Sequence, residues 1–296
     1  MSEQDWLAQL FEEHRRRLRA IAYRMLGSVS EADDAVQEAW LRLSGSQPGE
    51  IENLSGWLTT VVARVCLNML RSRAVRREEP LSPWLPDPVI DHADGVDPEH
   101  EALLADSVGL ALLVVLETLT PPERLAFVLH DAFAVPFEQI APLIDRSPQA
   151  ARQLASRARR RVRARPTTPD AGVSAQWEAV DAFLAAAREG DFDALVATLD
   201  PDVVLHADGG TARAAASAQV RGALEVARRA VMWSHVELAA HRVLVNGAVG
   251  VVATRGGVVF TVVSVLVRNG KIAEMDFLTD PERLARLDLT VLGDRA

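Results

Sequence analysis

The chain has 296 residues, of which 49% are hydrophobic, with a formal net charge of −9 and a single cysteine, Cys66. That length and apolar content suit two or three globular domains with real cores. One cysteine excludes an internal disulfide and any multi-cysteine metal site, and the opening MSEQDWLAQL is not a signal peptide. No uninterrupted apolar run approaches the roughly 20 residues that cross a bilayer, so a reducing, cytoplasmic protein is expected.

Leu7, Leu10, Phe11, Leu18, Ile21, Ala22 and Met25 keep a helical period over residues 6–26, with Arg15, Arg16 and Arg17 on the wet side. After GSVSEAD, where Ser28 with Glu31 or Ser30 with Asp33 can cap, a second helix buries Ala32, Ala35, Val36, Ala39, Trp40 and Leu43. Its other face carries Asp34, Gln37, Glu38, Leu41 and Arg42, an acidic surface that is either solvated or docks a basic partner. A polar loop over 44–55 leads to a third helix over 56–73. Its inner positions are Trp57, Leu58, Val61, Val62, Val65, Cys66, Met69 and Leu70, and Thr59, Thr60, Arg64, Asn68, Arg71 and Arg73 lie outside. Those arginines either compensate the helix dipole or meet nucleic acid.

From Glu78 to Glu101 there are eight acids, no Lys or Arg, and five prolines, so the segment reads as an extended acidic linker. Trp84 and Leu85 within PWLPDPV are too apolar for a solvated linker and are expected to dock. A hydrophobic helix over about 103–116 follows.

Thr120 with Glu123 forms a capping box, a short helix is expected over about 136–144, and Ser147 before Pro148 opens a third helix, which together make a helix-turn-helix pattern. On that third helix Ala151, Leu154, Ala155, Ala158 and Val162 form the apolar stripe; Gln149, Arg152, Gln153, Ser156, Arg157 and Arg160 face away. Between Asp145 and Arg165 eight Arg stand against one Asp, a local charge of +7 in a chain of −9. Arg, Gln and Ser on the free face suit phosphate contacts and base-edge reading in a major groove; a solvated face or an acidic protein partner is the blander alternative.

Beyond a second linker, Trp177, Val180, Phe183, Leu184 and Ala187 mark an amphipathic helix, and a short helix, a turn and a strand follow in GDFDALVATLDPDVVLHADGG. A further helix is expected over 218–232, then strands over 235–245, 250–254, 258–267 and 271–279. Asn246-Gly247, Gly256-Gly257 and Asn269-Gly270 between them read as hairpin turns. On the first strand His206 and Asp208 share a face and are candidates for lining a pocket, either as an acid/base pair or as groups that satisfy each other or nearby backbone. No motif demands a metal, nucleotide or other cofactor.

The order DDAVQEAWLRL, WLTTVVARVCLNMLRSR, an acidic linker and a helix-turn-helix ending in ASRARRRVR resembles the extracytoplasmic-function sigma factors, dissociable promoter-selecting subunits of bacterial RNA polymerase. LDPDVVLHADGG and the final hairpin resemble a SnoaL-like domain, and with PWLPDPV the whole is similar to the sigma group carrying such a C-terminal extension as a built-in regulator. The resemblance implies all-α sigma regions 2 and 4 followed by an α+β cone with a curved antiparallel sheet. It implies boundaries at 1–77 (region 2), 78–101 (linker), 102–165 (region 4), 166–174 (linker) and 175–296 (regulatory domain).

By the same resemblance, Asp34, Gln37, Glu38 and Leu41 bind the clamp helices of the largest polymerase subunit. The loop over 44–55 with Arg64, Asn68 and Arg71 handles the −10 element, and the helix after Ser147 reads the −35 element. Trp84, Leu85, Pro86 and Pro88 serve as regulatory linker contacts, and Asp280, Pro281, Glu282 and Leu284 as a regulatory tail. Asp145 replaces the usual turn glycine and Pro142 interrupts the preceding helix, departures that bear on promoter sequence more than on function.

Core polymerase and promoter DNA are the expected partners of a protein that is monomeric when free and is not an enzyme, with a small-molecule ligand of the SnoaL-like domain left open. Two other readings stay open: a ligand-responsive helix-turn-helix regulator acting without polymerase, and a SnoaL-like enzyme fused to a DNA-binding module.

Overall fold

The computed structural model describes residues 3–46, 51–76, 85–95, 109–164, 172–210, 213 and 216–295. The chain divides into two compact units: Met1–Glu79, Glu101–Asp106 and Val115–Arg165 form the first, and Pro80–His100, Ser107–Val114 and Pro166–Ala296 the second. Trp84, the expected helix before Gly109 and part of the 44–55 loop lie outside the described residues.

In the first unit α1 (Glu3–Leu26), α2 (Val29–Ser44) and α3 (Leu54–Arg76) pack as a three-helix bundle. The expected stripes form its core: Leu7, Phe11, Leu18, Ile21 and Met25 are buried against Ala32, Ala35, Val36, Ala39 and Leu43 and against Leu58, Val62, Val65 and Cys66. Burial pushes the Cys66 thiol far up from its ordinary range, so it stays protonated and inert. Two positions on α3 differ from expectation. Thr59 is buried, its hydroxyl donating to the Ser55 carbonyl at 2.8 Å, and Arg73 turns inward to donate to the Leu26 carbonyl at 2.9 Å and pair with Glu31. Ala63 and Leu67 are buried as well, because α3 also packs on a later helix. Ser28 stands at the N-cap of α2 without a capping bond; its hydroxyl meets that of Ser30 at 3.2 Å.

The same unit continues with the end of α4 (Leu110–Glu117), α5 (Pro121–Phe127) running into a π-turn over Val128–Ala132, α6 (Phe137–Ile140) and α7 (Pro148–Arg163). Glu123 closes the Thr120 cap, accepting from the Thr120 backbone N–H at 3.1 Å and hydroxyl at 2.8 Å. The helix expected over 136–144 is α-helical only to Ile140 and tightens to a 3₁₀ turn over Ala141–Leu143, because Pro142 has no N–H to continue the ladder. Asp145 takes a left-handed φ of 53° in the turn, as its short polar side chain allows. The Ser147 side chain then caps α7 by accepting from the Ala150 N–H at 3.2 Å.

The second unit is one seven-stranded sheet in the order β1-β4-β5-β6-β7-β2-β3 with helices on one face. Its strands are β1 (Ile90–His92), β2 (Leu199–Asp208), β3 (Ala218–Arg221), β4 (Ala239–Val245), β5 (Ala248–Arg255), β6 (Val258–Arg268) and β7 (Lys271–Leu278). The turns at Asn246-Gly247, Gly256-Gly257 and Asn269-Gly270 have positive φ at both residues, the I′-type requirement read from sequence.

The sheet is mixed rather than wholly antiparallel: β7 runs parallel to β2. Four strands joined by hairpins end β7 in the direction of β2, and its free edge docks there. The helix expected over 218–232 is likewise divided. Ala218–Arg221 pair with β2 as a strand, Gly222 at φ 90° breaks the chain direction, and only Ala223–Met232 (α10) is helical. α8 (Val173–Glu189), α9 (Phe192–Thr198) and α10 cover one sheet face, where Trp177, Val180, Phe183, Leu195 and Val226 pack on Leu205, Val251, Val263, Val265 and Met275.

Candidate nucleic-acid interface and linker clamp

Gln149, Arg152, Gln153, Ser156, Arg157 and Arg160 are all exposed on one face of α7, opposite the buried Ala151, Ala155 and Ala158. They are not equally free. The Arg152 guanidinium lies 5.3 Å over the Phe137 ring, which fixes its stem near the start of α6. Arg157 reaches back to Glu123 at 3.4 Å, and Arg161 to the same carboxylate at 2.9 Å. Burial would raise the Glu123 carboxyl, but the Thr120 hydrogen bonds and then Arg161 and Arg157 outweigh it and hold the group below the usual carboxylate range. Arg159 pairs with Asp131 at 2.5 Å. Half of the basic charge on α7 thus anchors the helix within region 4 and the rest points outward.

Arg64, Asn68 and Arg71 emerge together along α3 at four- and three-residue spacing, each exposed. On α2, Asp34, Gln37 and Leu41 are exposed, Leu41 by 57%, and Glu38 is half-buried beside Arg42 at 2.9 Å. Leu41 is thus an exposed apolar residue on a face that otherwise carries Asp, Gln and Glu.

Arg124 was not singled out by any sequence pattern, yet it ties the bundle to the helix-turn-helix inside the first unit. It is buried, and its guanidinium donates to the Met25 carbonyl at 2.7 Å and the Leu116 carbonyl at 2.9 Å and pairs with Glu117 at 2.8 Å. Arg17 adds a bond to the Phe133 carbonyl at 3.2 Å, and Arg24 stacks 4.8 Å over the Phe133 ring.

In the second unit the linker peptide is held by the polar end of the sheet. The Leu85 N–H donates to Asp208 Oδ2 at 3.0 Å, and Leu85 itself is buried. Arg283, in the short helix α11 (Pro281–Leu284), donates to the same Asp208 oxygen at 2.8 Å, to Asp87 Oδ1 through Nε at 2.9 Å and Nη2 at 2.6 Å, and to the Leu85 carbonyl at 2.6 Å. Further on, the Val89 N–H donates to Asn246 Oδ1 at 3.0 Å, the Asn246 N–H returns a bond to the Val89 carbonyl at 2.8 Å, and Ile90–His92 add β1 to the edge of β4.

Of the expected tail residues, Asp280 caps α11 by accepting from the Glu282 N–H at 3.0 Å, Pro281 starts that helix, and Leu284 is buried. Pro86 and Pro88 are both buried, and neither has an N–H for the sheet to satisfy. The residue that does the cross-linking is Arg283, between the expected Glu282 and Leu284, and its charge is opposite to that of the acidic linker.

His206 and Asp208 share a face but do not satisfy each other. Asp208 turns to the linker, Arg283 and the Gly210 N–H, whereas His206 Nδ1 lies 2.9 Å from Asp276 Oδ1 and 3.6 Å from Glu274. Parallel pairing of β2 with β7 puts His206 opposite Asp276, a juxtaposition that the expected antiparallel sheet does not imply.

Three family models match the chain in order: Sigma-70 region 2 over residues 10–76, Sigma-70, region 4 over 109–162, and a SnoaL-like domain over 180–275. ECF RNA polymerase sigma factor SigJ of Mycobacterium tuberculosis is 45% identical over 222 residues, 74% of this chain and 70% of that one. The probable ECF RNA polymerase sigma factor SigI of the same organism is 34% identical over 287 residues, 96% and 97% of the two chains. The crystal structure of Mycobacterium tuberculosis SigJ superposes with a TM-score of 0.75 at 35% identity, covering 95% of this chain and 99% of that one. With both sigma regions, the C-terminal domain and full-length relatives in agreement, the chain belongs to the extracytoplasmic-function RNA polymerase sigma factors and carries a SnoaL-like extension.

Proposed function

We propose that the chain binds core RNA polymerase in the cytoplasm and directs transcription from a defined promoter class, and that its SnoaL-like domain regulates this by holding the inter-region linker. The carrying observation is the Arg283 bracket, in which one buried cation joins the tail, β2 and the linker peptide through Asp208, Asp87 and the Leu85 carbonyl. The extension acts as a regulator, not an enzyme, and stands where a separate inhibitory protein would act. The domains divide at 1–77, 78–101, 102–165, 166–174 and 175–296, and the free protein is a monomer.

In this reading Asp34, Gln37, Glu38 and Leu41 meet the clamp helices of the largest polymerase subunit. Glu38→Arg reverses a charge at the centre of that face, and Leu41→Ala removes its apolar anchor. Each is expected to weaken association with core polymerase by tenfold or more, about 1.4 kcal/mol, in a pull-down or fluorescence titration. Undiminished affinity in both would rule this face out.

Arg64, Asn68 and Arg71 are assigned to the −10 element, and Gln149, Arg152, Gln153, Ser156, Arg157 and Arg160 to the −35 element. Arg152→Ala is expected to lower affinity for the −35 duplex by roughly 1–3 kcal/mol and relax specificity at one position, whereas Arg160→Ala weakens all sequences alike and flattens the salt dependence. Equal loss on specific and scrambled duplexes for Arg152→Ala would overturn its base-reading role. The test of the whole reading is transcription in vitro with core polymerase on a promoter library, comparing the full chain with one ending at Arg165. Initiation at a defined site and an altered yield on truncation are expected; absence of promoter-specific RNA from either chain would refute it.

A further inference from the structure

His206, Glu274 and Asp276 are each 3% exposed, yet all three are ionisable and their ligating atoms lie within 4.8 Å of one another. The sheet register explains the grouping. His206 of β2 stands opposite Asp276 of β7, and Glu274 is two residues earlier on the same face of β7, opposite Val204. Asp208, on the same face of β2, is already committed to Arg283 and the Leu85 N–H, so it supplies nothing to this group.

The geometry points to a binding site for one divalent first-row transition cation, held by His206 Nδ1, Asp276 Oδ1 and Glu274 Oε1. Two donors each about 2.1 Å from a cation and about 90–110° apart lie about 3.0–3.4 Å from each other. Nδ1 stands 2.9 Å from Asp276 Oδ1 and 3.6 Å from Glu274 Oε1, so modest rotation of two carboxylates meets that requirement. One imidazole with two carboxylates selects for zinc, manganese or iron(II) over calcium, which prefers more oxygens and no nitrogen.

The far ring nitrogen has its own partner. Gln219 of edge strand β3 lies with its amide nitrogen 3.2 Å from His206 Nε2. With the amide turned so that its oxygen faces the ring, Gln219 accepts the Nε2 proton and leaves Nδ1 free to ligate, the role an outer-sphere residue plays at a histidine metal site. Gln219 itself is exposed on the β3 edge, so its substitution leaves the core packing intact. No motif in the sequence pointed to a metal, because the ligands are 68 and 70 positions from the histidine and only the parallel strand pair unites them.

The test is titration of the chelator-treated full-length chain with Co²⁺, followed by visible absorption, and with Zn²⁺ by calorimetry. One equivalent is expected to bind. Asp276→Asn and Glu274→Gln are each expected to weaken binding at least about 100-fold, and Gln219→Leu by about 10-fold. His241→Gln, a half-buried histidine hydrogen-bonded to Thr254, is the control and is expected to change nothing. Should the two carboxylate variants misfold, Gln219→Leu on the exposed edge still decides the matter. No saturable binding, binding unaffected by Asp276→Asn or Gln219→Leu, or equal weakening by His241→Gln would overturn the site.

Discussion

Replacing Arg283 by Met is expected to weaken the sheet's hold on the linker peptide, leaving the Val89–Asn246 bonds and the pairing of β1 with β4 as what remains. The guanidinium is 8% exposed and makes four hydrogen bonds to three groups; Met keeps the volume and none of the bonds. Asp208, with a side chain 4% exposed, then loses its buried ion-pair partner, and Asp87 loses its anchor. Removing one member of a buried pair typically costs about 3–5 kcal/mol, which corresponds to a rise of roughly 10²- to 4 × 10³-fold in the open population of the linker. The Val89 amide is the reporter, because Pro86 and Pro88 have none and Leu85 N–H bonds directly to the affected Asp208. Its hydrogen exchange is expected to accelerate by that factor while the helix-covered core strands stay protected.

Gly210→Ala approaches the same contact from the other side. A Cβ there would sit 2.1 Å from Asp280 Oδ2, at a φ of 60° that already disfavours side chains, so α11 must shift without losing a charge. Unchanged Val89 protection in both folded variants would remove the clamp from the account. If Asp87→Asn is combined with Arg283→Met, the effects are expected to be less than additive, as for residues of one network.

What could be read from the residues alone was local in sequence. The Thr120–Glu123 box, the Ser147 cap and the Asn-Gly turns each follow from the φ, ψ and hydrogen-bond needs of four or five consecutive residues, and each is present. The faces of α2, α3 and α7 were legible for the same reason, because a 3.6-residue period sorts wet from dry. Of the failures, one is local and the rest are not. Thr59 looked external by polarity, but its hydroxyl is satisfied one turn back at Ser55, which lets a polar residue sit in the core.

β1 was hidden inside a proline-rich acidic segment, since three residues need no intrinsic strand preference when β4 offers a free edge. β3 was absorbed into a helix because Ala and Val at 218 and 220 fit either period and only the neighbouring β2 decides. Arg124, Arg283 and Asp276 became functional candidates through partners 70 to 198 positions away. Such pairings depend on strand order and domain packing, neither of which a window of residues contains.

Arg124→Met is expected to have the second large effect, on the reach of the DNA-binding regions. Promoter elements centred about 25 base pairs apart lie roughly 85 Å apart along B-form DNA at about 3.4 Å per pair. A compact body of some 140 residues is only about 40 Å across. On the assignment proposed above, of region 2 to the −10 element and region 4 to the −35 element, the two regions packed as one unit cannot occupy both elements at once, and engaging a promoter requires them to part. The Arg124 guanidinium is central to what resists parting, since it satisfies the end of α1 at Met25 and the end of α4 at Leu116 in a site 3% exposed.

Met in its place leaves those carbonyls and the Glu117 carboxylate without their donor; of these bonds the one to Met25 crosses between the regions, and losing a charge-assisted hydrogen bond of about 1.5–3 kcal/mol shifts the packed-to-separated balance by roughly 10- to 10²-fold. Small-angle scattering of a chain ending at Arg165 should then show a larger radius of gyration for the variant at unchanged helical circular dichroism. Binding to a duplex carrying both elements should tighten, while binding to the −35 element alone stays constant. Identical scattering from variant and parent, with both folded, would mean that the two regions are held by their apolar contacts and that Arg124 merely fills the seam. A variant that scatters as a larger particle yet binds the two-element duplex no better would mean that separation does not limit promoter engagement.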